Sequence, residues 1–156
     1  DILYLVHIST ARMIRLAAGV GTRFPAYPTS LGRVLLAHQE PARIDQYFAE
    51  VEMQKLTTKT ITSKAELRKL LVQVRKVGYA ALQDELDYGI VSVAVPVFGP
   101  DGEILAAINC STATTRVTKD TMVKTRLPEL KQAAKKIEVE LRRYPILVHS
   151  IRSAAS

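Results

Sequence analysis

Uncharged polar side chains recur on two neighbouring apolar runs near the middle of the chain. The first run, residues 89–98, carries Ser92 among valines, and the second, residues 103–112, carries Asn109 and Ser111. Hydroxyl and amide groups donate and accept hydrogen bonds without bearing charge. If they share one face, they can floor a cavity that recognises a small polar ligand. The alternative is that small side chains on this face only allow a helix to pack closely.

An Asp-Gly pair at 101–102 separates the two runs, which is a strong signal for a β-hairpin. A two-residue loop there places Ser92 opposite Ser111 and Ala94 opposite Asn109. Side chains alternate between the faces of a strand, and a slip of one residue would mix the two sets. The sequence therefore predicts a register that collects small and polar side chains on one face and bulky ones on the other.

The bulky face is expected to build the core. Its members are Val91, Val93, Val95, Val97, Ile104, Ala106, Ile108 and Cys110. The small face is expected to border the cavity. Its members are Ser92, Ala94, Pro96, Ala107, Asn109 and Ser111.

A helix start supplies the second group of candidate binding residues. Thr29 or Ser30 is suited to cap a helix that continues through Leu31 and Gly32. Gly32 in the first turn costs about 1 kcal/mol of helix stability relative to alanine. Two interpretations of this glycine stay open: either a ligand or another backbone segment approaches it closely, or it permits tight packing of the helix against the sheet. Backbone N–H groups at such a start can receive a carboxylate without help from a cationic side chain.

Signals for catalysis, metal binding or a cofactor are absent from the sequence. Three histidines lie far apart, so no metal-ligand spacing is present. Cys110, on the bulky face, is interpreted as a buried inert thiol. Asp84, Glu85 and Asp87 are interpreted as a solvated acidic loop rather than as an acid–base pair. We therefore expect no catalytic residues, no metal, no cofactor and no enzymatic activity.

Length and composition bound the class of protein. The 156 residues suit one domain, and no apolar run approaches the roughly 20 residues that span a bilayer. A single cysteine and the absence of a signal-peptide pattern lead us to expect a cytoplasmic protein. The net charge of +7 invites a nucleic-acid interpretation, but the basic residues are interleaved with acidic ones along predicted helices and have no aromatic residues among them to stack on bases.

Strands and helices alternate irregularly along the chain. Strands are predicted at 2–9, 13–18 and 79–83 besides the hairpin, and the Thr-rich residues 57–62 suit an edge strand. Helices are predicted at 41–50, at 63–78 and from Thr118 onward, the last divided or kinked by Pro128 and ended by Tyr144-Pro145. This order predicts an α+β fold, with an antiparallel sheet flanked by helices.

Taken together, these segments resemble the IclR family of bacterial transcriptional regulators over nearly the whole chain. The segments that carry the resemblance are 25–37 (PAYPTSLGRVLLA), 59–62 (KTIT), 77–80 (VGYA), 84–97 (DELDYGIVSVAVPV), 101–102 (DG) and 106–111 (AAINCS). The resemblance is to the C-terminal effector-binding domain of that family, and within it to regulators of protocatechuate and β-ketoadipate catabolism.

The resemblance implies a GAF-like fold for residues 1–156 and a sensing function. It implies a small-molecule carboxylate effector such as protocatechuate, 4-hydroxybenzoate or β-ketoadipate, and assembly as a homodimer or tetramer. DNA would be bound only through an N-terminal winged-helix domain that this chain does not contain. The effector-binding positions implied are Ser30, Leu31, Gly32, Ser92, Ala94, Asn109 and Ser111.

One departure from the family pattern concerns charge. The family's acidic pocket position appears as Leu82 here, so a ligand contact made by that carboxylate is lost. A larger or more apolar effector would suit this change. The alternative function is a GAF- or PAS-type protein-interaction module of a signalling protein, which would bind no small molecule.

Overall fold

The fold was analysed in a computed structural model that describes residues 1–8 and 19–155. The strand predicted at 13–18, and the end of the one predicted at 2–9, lie outside the described residues. The elements, in chain order, are β1 (Ile2–Leu3), β2 (Arg23–Phe24), α1 (Ser30–Ala37), α2 (Pro41–Glu50), α3 (Lys64–Val77), β3 (Ala80–Gln83), β4 (Ile90–Phe98), β5 (Ile104–Ala113), α4 (Lys119–Arg143) and α5 (Pro145–Ala155).

The hairpin of β4 and β5 forms, together with β3, an antiparallel sheet of order β3-β4-β5 in the described part of the chain. Ser92 pairs with Ser111 and Ala94 with Asn109, so the predicted register is confirmed. The two-residue loop is wrong. Gly99 donates its N–H to the carbonyl of Glu103, which closes a longer loop, and a bulge beside Val97 and Phe98 restores the register.

The two faces of the sheet pack against different helices. Val91, Val93, Val95 and Val97 are at most 1 % exposed and pack against α4 and α5, as expected of the bulky face. Ala94 packs on the other side, among residues of α1 and α3. Two helical layers around an antiparallel sheet make this an α+β fold, which confirms the predicted class.

Helix starts follow the capping residues read from the sequence. Thr29, Ser63 and Thr118 each accept a hydrogen bond from a backbone N–H in the first turn of α1, α3 and α4. Gly78 ends α3 with a φ of 75°, a left-handed conformation that glycine adopts without steric cost. These caps fix where α1 begins, and α1 is the helix that meets the small face of the hairpin.

Three predicted elements differ from the structure, the first being the strand predicted at 2–9, of which β1 contains only Ile2–Leu3 within the described residues 2–8. Residues 57–62 form no strand; a turn stabilised by Thr57 and Thr60 lies there instead. The helix from Lys119 continues through Pro128 to Arg143 instead of dividing. The long helix ends at Arg143 with Tyr144 as its C-cap, as predicted, but Pro145 begins a further helix, α5, that was not predicted; proline is well suited to the first turn of a helix. No helix in the described residues is long and apolar enough to cross a membrane.

Candidate functional site

A small hollow lies between the start of α1 and the small face of the hairpin. We call this cavity the hollow; its volume is about 30 Å³, room for roughly one or two water molecules. Its lining residues are Tyr4, Pro28, Thr29, Ser30, Leu31, Leu82, Asp84, Glu85, Leu86, Ile90, Ser92, Asn109 and Ser111. Five of the seven residues expected to bind an effector are among them.

The hairpin presents Ser92, Asn109 and Ser111 to the hollow. Thr114 donates its N–H to the carbonyl of Gly89. Because hydrogen-bonded and non-hydrogen-bonded residue pairs alternate along two antiparallel strands, this bond shows which pairs of β4 and β5 are of each kind. Ser92 and Ser111 are then a non-hydrogen-bonded pair, the kind in which facing side chains come closest. All three polar residues are half-buried, neither in bulk solvent nor sealed in the core.

Tyr4 covers the hairpin side of the hollow. Its ring meets the Phe24 ring edge-on, with centroids 5.7 Å apart. Burial raises the pKa of the Tyr4 phenol, and hydrogen bonding to the Asn109 side chain opposes that rise. The phenol therefore stays neutral at physiological pH, and it adds a further uncharged polar group to the hollow.

The start of α1 contributes backbone N–H groups. Thr29 Oγ1 accepts the N–H of Gly32 at 3.0 Å and donates to the carbonyl of Ala26 at 3.0 Å. The N–H groups of Ser30 and Leu31 have no hydrogen-bond partner among the described residues. Ser30 and Leu31 both line the hollow, at the positive end of the α1 dipole.

Gly32 and Ala94, also expected to bind the effector, do not line the hollow. A Cβ on Gly32 would lie 2.1 Å from the carbonyl oxygen of Ala26. The close neighbour of Gly32 is thus another backbone segment, and this agrees with the interpretation that a backbone or a ligand approaches this glycine closely. Ala94 is fully buried and packs in the core between the sheet, α1 and α3.

Asp84 and Glu85 also line the hollow, and we call these two residues the acidic wall. The sequence pattern predicts that both carboxylates belong to a solvated loop. That assignment is wrong for Asp84 and Glu85. The Glu85 side chain is 11 % exposed and pairs with Arg33, whose side chain is 5 % exposed. Arg33 Nη1 donates to Glu85 Oε1 at 3.0 Å, and Arg33 Nε donates to the carbonyl of Tyr27 at 2.9 Å. No sequence signal distinguished Arg33 from the other cations.

A turn at residues 57–60 holds this acidic wall in place. Thr57 Oγ1 donates to the carbonyl of Asp84 at 2.5 Å, and Thr60 Oγ1 donates to the carbonyl of Glu85 at 2.6 Å. Lys59 Nζ donates to Asp84 Oδ2 at 2.7 Å. These bonds hold Asp84 at a φ of 60°, which is uncommon for residues other than glycine.

The charge on Asp84 is maintained by its partners. The hydrogen bond from Lys59 lowers the pKa of this carboxyl, and burial opposes the effect. A further bond comes from the N–H of Gly89, at 2.7 Å from Asp84 Oδ1. An ionised carboxylate with these donors is poorly suited to give up or take a proton near pH 7.

The arrangement suits recognition rather than bond-making chemistry. The residues that line the hollow include ones with neutral hydroxyl, amide and phenol groups and two whose backbone N–H groups have no partner in the described residues, while both carboxylates of its lining are already paired with cations. No group of three His, Cys, Asp or Glu side chains in the described residues could hold a metal ion. A small acid could place its carboxylate on the α1 N–H groups and its other polar atoms on the hairpin.

Residues 1–139 match the profile of the family described as "Bacterial transcriptional regulator IclR C-terminal". Among curated proteins, the "Pca regulon regulatory protein" of Pseudomonas putida is 36% identical over 136 residues, covering 86% of this chain and 47% of the relative. The chain thus spans about half the length of the curated relatives it matches.

Solved structures agree with this relationship. A chain from Rhodococcus sp. RHA1, described as a transcriptional regulator, superposes with a TM-score of 0.88 at 36% identity, over 92% of this chain and 58% of that one. The inducer-binding domain of PobR from Acinetobacter, a double mutant in complex with 3-hydroxybenzoic acid, gives a TM-score of 0.73 at 31% identity, over 76% and 70% of the two chains.

Proposed function

Because the chain belongs to the family of IclR-type regulator C-terminal domains, we propose that it senses a small aromatic acid or dicarboxylate in the hollow. The observation that carries the proposal is the meeting of unpartnered α1 N–H groups with Ser92, Asn109 and Ser111 around one cavity. The relatives named above support the ligand class: one controls a pca regulon, and another is solved with a hydroxybenzoate.

In the proposed complex, the carboxylate of the ligand accepts hydrogen bonds from the N–H groups of Ser30 and Leu31. The hydroxyls of Ser92 and Ser111 and the amide of Asn109 then bind the remaining polar atoms. Charge is supplied by the helix end rather than by a cationic side chain, since Arg33 is already engaged with Glu85.

Binding of a ring requires the hollow to widen. A volume of about 30 Å³ accommodates water but no benzoate. Tyr4, which is only partly buried, is the wall best able to move, because the acidic wall is tied down by the turn at 57–60. A ligand that binds only the widened state shifts the population toward that state, which is what a sensor requires.

The widened state would influence DNA through parts of the protein beyond this domain. We propose that effector domains associate as a homodimer or tetramer and that a winged-helix domain binds the DNA. The relatives are described as regulators rather than enzymes, and in the hollow both carboxylates are ion-paired. Together these observations support a regulatory function without catalysis.

Calorimetric titration of the chain with protocatechuate, 4-hydroxybenzoate and β-ketoadipate tests the proposal. At least one acid is expected to bind with 1:1 stoichiometry, and Ser111→Ala is expected to weaken that binding about tenfold, which corresponds to 1.4 kcal/mol. Ser150→Ala on exposed α5 serves as the matched control and should leave affinity unchanged. Absence of binding by all three acids would favour the protein-interaction module over the sensor.

A further inference from the structure

A second depression, which we call the edge groove, runs along β3 and encloses about 390 Å³. This volume falls within the range of established ligand pockets, roughly 300–1,000 Å³. Apolar side chains of α3 and α4 form most of its sides. These apolar residues are Leu70, Val74 and Val77 of α3 and Val123 of α4, and Lys119 and Lys124 of α4 also line the groove.

The floor of the edge groove contains Ala80, Ala81 and Leu82 of β3, and the free edge of this strand continues beyond the groove to Gln83. Asp84 donates its N–H to the carbonyl of Ile90, so Ala80, Leu82 and Asp84 direct their backbone groups toward β4. The backbone groups of Ala81 and Gln83 therefore point away from β4. Among the described residues these N–H and C=O groups have no hydrogen-bond partner. Such an edge is a template for pairing with another extended chain.

The edge is recessed, which limits what can pair with it. α3 contributes one side of the groove and α4 the other, so both helices flank the strand. A second copy of this chain carries the same flanking helices beside its own β3. In a symmetric pairing of two β3 edges those helices would meet before the strands did. A single extended segment without flanking helices fits instead.

The rim of the edge groove is basic. Lys119 and Lys124 are both exposed and outnumber the single acid, Asp120. No ion pair within the described residues engages either lysine. Both lysines lie near the N-terminal end of α4, whose dipole adds positive potential there. An acidic occupant is favoured on both grounds.

We propose that the edge groove docks an extended acidic segment of a partner protein, which adds to the sheet as a strand beside β3. The partner's backbone pairs with the outward groups of Ala81 and Gln83. Alternate apolar side chains contact Val77 and Val123, and acidic side chains contact Lys119 and Lys124. This docking does not depend on what the hollow binds.

The test selects peptides from a displayed library of random octapeptides and measures their dissociation constants by fluorescence polarisation. Expected binders combine acidic residues with alternating β-branched ones. Ala81→Pro removes an outward N–H while breaking no bond to β4, and proline is tolerated on edge strands. It is expected to weaken binding at least tenfold, and so is the double variant Lys119→Glu/Lys124→Glu.

The control is Lys131→Glu/Lys135→Glu, an equal charge change on exposed α4 positions that do not line the edge groove. The dissociation constant of this variant for the selected peptides should stay within twofold of the wild-type value. Circular dichroism verifies that each variant is folded. If Ala81→Pro does not fold, the peptide affinity of Lys119→Glu/Lys124→Glu alone tests the proposal. The proposal is overturned if the selection yields no peptide that binds, or if the selected peptides bind Ala81→Pro and Lys119→Glu/Lys124→Glu as tightly as wild type. It is also overturned if an aromatic acid displaces the bound peptide, or if the chain self-associates and Lys119→Glu/Lys124→Glu abolishes that self-association.

Discussion

Arg33 Nη1 donates a hydrogen bond to Glu85 Oε1 at 3.0 Å, although the two side chains are only 5 % and 11 % exposed. Glu85 lines the hollow and Arg33 lines the edge groove, while Leu82 lines both. One buried ion pair and one leucine therefore form the wall that the two cavities share.

Arg33→Met is expected to destabilise the fold by about 3–5 kcal/mol, because it leaves the Glu85 carboxylate buried without its partner. Arg33→Met/Glu85→Leu should recover much of that loss, since neither charge then remains. Urea denaturation measures the free energy of unfolding of both variants. Arg143→Ala, in an exposed pair with Glu140, is the control and should cost less than about 1 kcal/mol. Equal losses for Arg33→Met and Arg143→Ala would contradict a structural role for the buried pair.

Gly32→Ala separates two physical effects of opposite sign. Glycine inside a helix is about 1 kcal/mol less favourable than alanine, so helix propensity alone predicts stabilisation. The Cβ would, however, lie 2.1 Å from the backbone carbonyl oxygen of Ala26. We expect the clash to dominate and the midpoint of urea unfolding to fall. A higher midpoint would show that the loop before α1 moves aside easily.

Asp84→Asn tests the acidic wall through its pH dependence. Because the pKa of Asp84 in the folded protein is lowered from its ordinary value of 3.8, ionisation stabilises the folded state above that value. Wild type should exceed the variant in unfolding free energy at pH 7. The difference should shrink as pH falls below about 4 and through the lower pKa of the folded state. A difference that is constant or grows toward pH 3 would refute the assignment.

Tyr4→Ala tests whether the phenol ring obstructs the hollow. The substitution removes the side chain that must move before a ring-bearing acid can enter, so the cost of widening falls. We expect about tenfold tighter binding of 4-hydroxybenzoate, equivalent to 1.4 kcal/mol, measured by calorimetry. Weaker binding than wild type would instead mean that the ring of Tyr4 contacts the bound ligand.

The local elements were predictable because their signals are local. The Ser63 cap with Glu66 three residues later, followed by apolar residues at helical spacing and Gly78, gave the bounds of α3 closely. The hairpin register was deduced from a two-residue loop that the structure does not have, yet it is correct because the bulge compensates for the longer turn. The class of the fold then followed from the order of these elements.

The acidic wall was not predictable because it depends on partners distant in sequence. Arg33 and Glu85 are 52 residues apart, and Thr57 and Asp84 are 27 apart. A charged residue in a polar loop is usually solvated, and burial becomes possible only where a tertiary partner satisfies it. Helix α5 was missed for another reason: Pro145 follows the end of α4, as predicted, but proline also suits the first turn of a new helix.

The central claim is that a small aromatic acid sits between the start of α1 and the serines of the hairpin. Nuclear Overhauser contacts between the ring protons of 4-hydroxybenzoate and the protein, recorded at saturating ligand, test it most directly. The claim predicts cross-peaks to the β protons of Ser92 and Ser111. Cross-peaks to the methyl groups of Val77 and Val123 in the edge groove, without any to the two serines, would contradict it.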